Sequence, residues 1–148
     1  MSVIDSKEVD FVVLKEDYSR FLVHDGTCIK AKIVVKKIFF NPQKTPEGYP
    51  AGIAVDTFNA VSSVVPQSLK RKPSTEQMNP QKDKGEEVKF EEQKIEIQEY
   101  MTPDGFKITV KPIVTKILKY EKYNNYGEPT YSVVLQAITN IEKIESTG

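Results

Sequence analysis

The sequence predicts an all-β fold made by tandem duplication of a small five-stranded unit, with a disordered linker between the copies. Three observations lead there. Apolar residues recur at period two rather than at helical spacing. Two Asp-Gly turns, Asp25-Gly26 and Asp104-Gly105, stand 79 residues apart. Carrying that offset along the chain brings further residues into register on both sides of the turns.

Upstream, Val9-x-Phe11 matches Val88-x-Phe90 and Lys15 matches Lys94. Downstream, Ile29, Lys32 and Val35 match Ile108, Lys111 and Val114, and Lys37-Ile38 matches Lys116-Ile117. Gly48-x-Pro50 matches Gly127-x-Pro129. After a two-residue insertion, Asn59–Val64 aligns with Gln136–Ile141. The copies occupy residues 8–65 and 87–146, with 66–86 between them.

In chain order, residues 9–14 and 18–23 read as strands, and His24-Asp25-Gly26-Thr27 as the turn of a hairpin. Asp-Gly suits such a turn because glycine reaches positive φ cheaply. Residues 27–40 read as a long strand with Ile29, Ala31, Ile33 and Val35 on one face. Its alternation slips at Lys36-Lys37-Ile38, and the same slip recurs at Thr115-Lys116-Ile117, which predicts a bulge in each copy. Residues 41–50 form a Pro/Gly-marked loop, and strands at 51–58 and 60–65 end the first copy. The second copy reads as strands near 88–90, 94–101, 106–119, 130–135 and 137–144. Pro112 places part of its long strand at an edge or bulge.

Residues 66–86 carry Pro66, Pro73 and Pro80 and two clusters of charge, with Leu69 and Met78 as the only sizeable apolar residues. That composition is expected to be solvated and disordered. A copy of about 58 residues buries a marginal core alone. The two copies are therefore expected to pack together as a pseudo-twofold β-barrel or sandwich.

Composition narrows function. Formal net charge is zero, so no global field draws the chain to nucleic acid or membrane. His24 and Cys28 are the sole members of their types, which excludes an internal disulfide and a Cys/His zinc cage. His24 flanks a turn, and Cys28 lies on the polar parity of its strand. No Gly-rich phosphate loop is present. These features predict a non-enzymatic protein without cofactor or metal. The N-terminal residues lack the pattern of a signal peptide, and no apolar run is long enough for a membrane helix. The expected compartment is the cytoplasm, and no membrane partner is expected.

Two surfaces stand out. Residues 120–131 combine Tyr, Asn and Gly, a mix that gives contact area at low entropy cost and adaptable hydrogen bonding. Tyr123, Asn124, Asn125 and Tyr126 are the candidate residues for capture of a protein partner or for self-association. Tyr120 and Tyr131 are expected to face each other across the hairpin, leaving Tyr123 and Tyr126 exposed. The alternative is a single-stranded nucleic-acid surface made by Lys30, Lys32, Lys36 and Lys37 near Phe39 and Phe40, extended by Lys70, Arg71 and Lys72. The scarcity of arginine, with only Arg20 and Arg71, weighs against that alternative.

Overall fold

A computed structural model describes residues 6–144. Residues 145–146 of the expected second unit and the first five residues lie outside the described part. The fold is all-β, with two five-stranded antiparallel sheets and no α-helix among the described residues.

In order, the strands are β1 (Lys7–Val9), β2 (Val12–Lys15), β3 (Ser19–Val23), β4 (Cys28–Phe40), β5 (Ile53–Val64), β6 (Glu86–Glu87), β7 (Phe90–Lys94), β8 (Gln98–Met101), β9 (Phe106–Tyr123) and β10 (Pro129–Lys143). The sequence predicts two strands in place of each of β5 and β10. Each is continuous, because a long partner, β4 or β9, pairs it over nearly its whole length. The expected bulges are present. Lys36 has no opposite residue in β5 between Val35↔Thr57 and Lys37↔Asp56. Thr115 is skipped in the same way opposite Val134 and Leu135.

The first sheet holds β4 at its centre, with β5 along one edge and β3 and β1 sharing the other; β7 pairs β3. The second sheet repeats this arrangement around β9, with β10 on one edge, β8 and β6 on the other, and β2 paired to β8. Each sheet therefore contains one strand from the opposite half of the chain. The sheets do not close into a barrel, and β5 and β10 leave their outer edges unpaired among the described residues. Pro112 lies in β9 between the residues paired to β8 and those paired to β6, where a missing N–H is tolerated.

Both apolar clusters draw on both sheets. One joins Ile33, Val35, Ile38 and Phe40 of β4 to Tyr100, Phe106, Ile108 and Val110. The other joins Phe21, Val23, Ile29 and Ala31 to Val114 and Ile117. Polar ties cross the seam in reciprocal fashion. Ser19 Oγ accepts from the Glu96 amide at 2.8 Å, while Gln98 Oε1 accepts from the Asp17 amide at 2.8 Å and its Nε2 donates to Asp17 O. Lys15 and Lys94, matched in the sequence, both grip the Glu96 carboxylate, whose side chain is 8% exposed. Those hydrogen bonds hold the Glu96 carboxyl below the usual carboxylate range.

Candidate functional site

The β9–β10 hairpin owes its shape to Asn124 and Gly127. Asn124 Oδ1 accepts from the amides of Tyr126 and Glu128 at 2.9 and 3.0 Å, closing a side-chain-to-backbone turn. Gly127 takes φ of 76°, which a side chain would resist. Tyr126 is thereby pushed into solvent at 78% exposure, and Asn125 is exposed beside it.

Tyr123 is not presented as expected. It is half-buried, because residues 71–78 lie against the hairpin. Ser74 N donates to Tyr123 O at 3.0 Å, and Tyr123 N donates to Ser74 Oγ at 2.8 Å. Arg71 N donates to Gly127 O at 2.9 Å. The Tyr123 hydroxyl donates to Glu121 at 2.9 Å, which raises its pKa. The segment expected to be a disordered linker thus has its backbone laid along the hairpin, with Lys122 between Glu76 at 4.0 Å and Asp83 at 3.9 Å. Between segment and hairpin is a cavity of about 370 Å³ lined by Ser74, Gln77, Met78, Lys122, Asn125 and Thr130 among others.

Tyr120 and Tyr131 do not form the expected cross-strand pair. The register sets Tyr120 opposite Thr130 and Tyr131 opposite Lys119. Tyr120 is buried and covered by Gly85, where any side chain would strike its ring. Tyr131 instead donates its hydroxyl to Asp25 Oδ2 at 2.6 Å. Lys119 Nζ reaches the same oxygen at 2.9 Å, and Asp25 Oδ1 accepts from the Thr27 amide at 2.9 Å. Burial pushes the Asp25 carboxyl up, but the hydrogen bonds from Tyr131, Lys119 and Thr27 outweigh it and bring the pKa to about 2. Burial and Asp25 raise the Tyr131 hydroxyl. The sequence alone explains Asp25 by its turn. Its partners are 94 and 106 residues away, so no local pattern could have shown them.

The lysine face is largely neutralised. Lys32 lies 3.6 Å from Glu16, Lys36 3.6 Å from Asp56, and Lys37 3.6 Å from Glu8. Lys30 and Lys32 sit over the Tyr18 ring at 5.2 and 4.7 Å. Phe40 is buried against Phe106, with ring centroids 5.6 Å apart, so it cannot stack on a base. Arg71 turns its guanidinium to the carbonyls of Ser68 and Lys70 in its own segment, beside Lys72. His24 is exposed, and Cys28 is half-buried with Arg20 Nη1 at 3.8 Å.

No protein-family model matches the chain, and no curated protein or solved structure matches it. No helix among the described residues is long and apolar enough to cross a membrane.

Proposed function

We propose that this chain is a non-enzymatic protein-binding or assembly module of the cytoplasm, built by duplication and presenting Tyr126 at the tip of a preorganised hairpin. The exposed Tyr126 on an Asn124-caged, segment-braced loop carries the reading. A rigid aromatic offered to solvent needs little further ordering on binding, so contact area converts to affinity with a small entropy cost. On this reading a protein partner or a second copy takes the loop.

Duplication is supported by turn hydrogen bonds that recur at the same offset. Val23–Thr27 and Thr102–Phe106 close alike, as do Thr45–Tyr49 and Asn124–Glu128. Two copies that exchange a strand and share two apolar clusters act as one compact domain. The single-stranded nucleic-acid alternative is the weaker reading, since three of its four strand lysines already face carboxylates within 4 Å.

Affinity capture from source lysate, with and without nuclease, tests the choice. A protein retained by wild type in both samples and lost with Tyr126→Ala, at unchanged near-ultraviolet circular dichroism, is the expected result. Retention by Tyr126→Ala at the wild-type level sinks the loop. Recovery of nucleic acid, with capture abolished by nuclease, sinks the protein-binding reading in favour of the lysine face.

A further inference from the structure

We propose that β2 is a self-association edge, on which a second copy of this chain lays its own β2 antiparallel to give a twofold dimer. The surface is separate from the tyrosine hairpin. β2 ends the second sheet, paired to β8 on one side and to nothing beyond it among the described residues. Its Val12, Val13 and Leu14 are 61%, 53% and 52% exposed. Three consecutive exposed apolar residues on an unpaired edge are what folded chains ordinarily avoid.

The other half of the molecule shows the avoidance. β7 holds the same place at the end of the first sheet, and its residues at the matching positions are Glu91, Glu92 and Gln93, all exposed. Charges there keep a foreign strand off. The Val12–Leu14 stretch of β2 carries no charge, and a cavity of about 270 Å³ opens beside it, lined by Asp10, Phe11, Val12, Met101, Thr102 and Pro103.

The occupant follows from the chemistry of the edge. A row of free backbone N–H and C=O groups is matched by an extended strand. The β7 edge of another copy is a poorer match, because it would set at least one of Glu91 and Glu92 against the apolar Val12–Leu14 stretch. Another β2 is a good one. The strand begins after Asp10, which is exposed, and ends at Lys15, whose side chain is 38% exposed beside Glu96. An antiparallel copy brings its Lys15 end to the Asp10 end of the first, at both ends of the pair. The same arrangement places Leu14 of the second copy next to the cavity at Asp10–Val12. A twofold contact of this kind closes on itself as a dimer.

Light scattering coupled to size exclusion, across micromolar to sub-millimolar chain, tests this. Wild type is expected to approach twice the chain mass at the upper end. Val13→Lys should stay at the chain mass throughout, and Gln93→Lys, at the place on β7 that matches Leu14, should dimerise like wild type. Circular dichroism confirms folding, and Leu14→Glu substitutes should Val13→Lys fail to fold. A wild type that remains at the chain mass overturns the proposal, as does dimerisation of folded Val13→Lys at the wild-type level. Dissociation by Phe58→Lys or Val134→Lys, with Val13→Lys still dimeric, assigns the contact to β5 or β10 and also overturns it. Tyr126→Ala should dimerise normally, so failure of the hairpin reading is distinguishable from failure of this one.

Discussion

At residues 9–12 and again at 88–91 the chain leaves one sheet and joins the other. The two crossings start alike, with Val9 set opposite Ile38 and the Val88 amide donating to Ile117 O at 3.0 Å. They finish differently. At the second crossing the His24 amide donates to Lys89 O at 2.8 Å and ties the strand to the β3–β4 turn. At the first, Pro103 stands where His24 would be and has no N–H to give, and the apolar cavity lies there. Beyond each crossing comes Val-Val-Leu in β2 but Glu-Glu-Gln in β7. The lesson is that backbone plan and edge chemistry are set by different residues, so one plan can carry a sealed corner and an open one.

The largest effects should fall where the halves are most alike. Phe21 and Tyr100 occupy matching places in β3 and β8, and both are fully buried. Phe21→Ala and Tyr100→Ala should each destabilise by about 3–5 kcal/mol in urea denaturation. If both apolar clusters stabilise one cooperative unit, each variant should show a single transition common to both sheets. Two separated transitions in either variant would break the equivalence and divide the molecule into independent halves.

Gly48 and Gly127 sharpen the contrast, since both hold positive φ at matching turns. A Cβ on Gly48 meets only the mobile Nζ of Lys143 at 3.0 Å, whereas on Gly127 it runs into the carbonyl oxygen of Arg71. Gly48→Ala should lose about 1–2 kcal/mol for its left-handed backbone. Gly127→Ala should lose more and should raise amide exchange at Arg71 and Ser74, because the 71–78 segment must lift. Equal losses and unchanged exchange would mean that this segment does not bear on the hairpin.

What the sequence made legible was whatever repeats over short distances. Alternation located the strands, the Asp-Gly pairs located two turns, and the slipped alternation located Lys36 and Thr115. Composition is silent where long-range partners decide the outcome. Residues 66–86 are mostly exposed and hold few apolar side chains, yet the amides of Arg71 and Ser74 bond the carbonyls of Gly127 and Tyr123. The same limit applies to the candidate site. Tyr126 could be picked out because its exposure follows from its own loop, but Tyr123 could not, because Ser74 lies 49 residues away. The exchange of β2 and β7 between sheets leaves no mark in local pattern, since neither Val-Val-Leu nor Glu-Glu-Gln carries a period-two alternation that would assign it to a sheet.

The smallest predicted effect compares the two anchoring aspartates. Asp104 is exposed in its turn, and Asp104→Asn should change stability by no more than about 0.5 kcal/mol. Asp25→Asn keeps an oxygen for the Thr27 amide but loses the ion pair with Lys119 and weakens the bond from Tyr131. With allowance for partial solvent screening, it should lose about 1–2 kcal/mol at neutral pH. The pH dependence has a definite sign. The Asp25 carboxyl is depressed from 3.8 to about 2 in the folded chain, so its contribution is complete above the unfolded value. It must fade as pH drops through the interval between those values. Urea denaturation across that interval should show wild type and Asp25→Asn converging, while wild type and Asp104→Asn stay together throughout. A gap that stays constant into acid would show that Asp25 acts through its turn alone, by its bond to the Thr27 amide, rather than through the contact with Lys119 and Tyr131 that joins the two sheets.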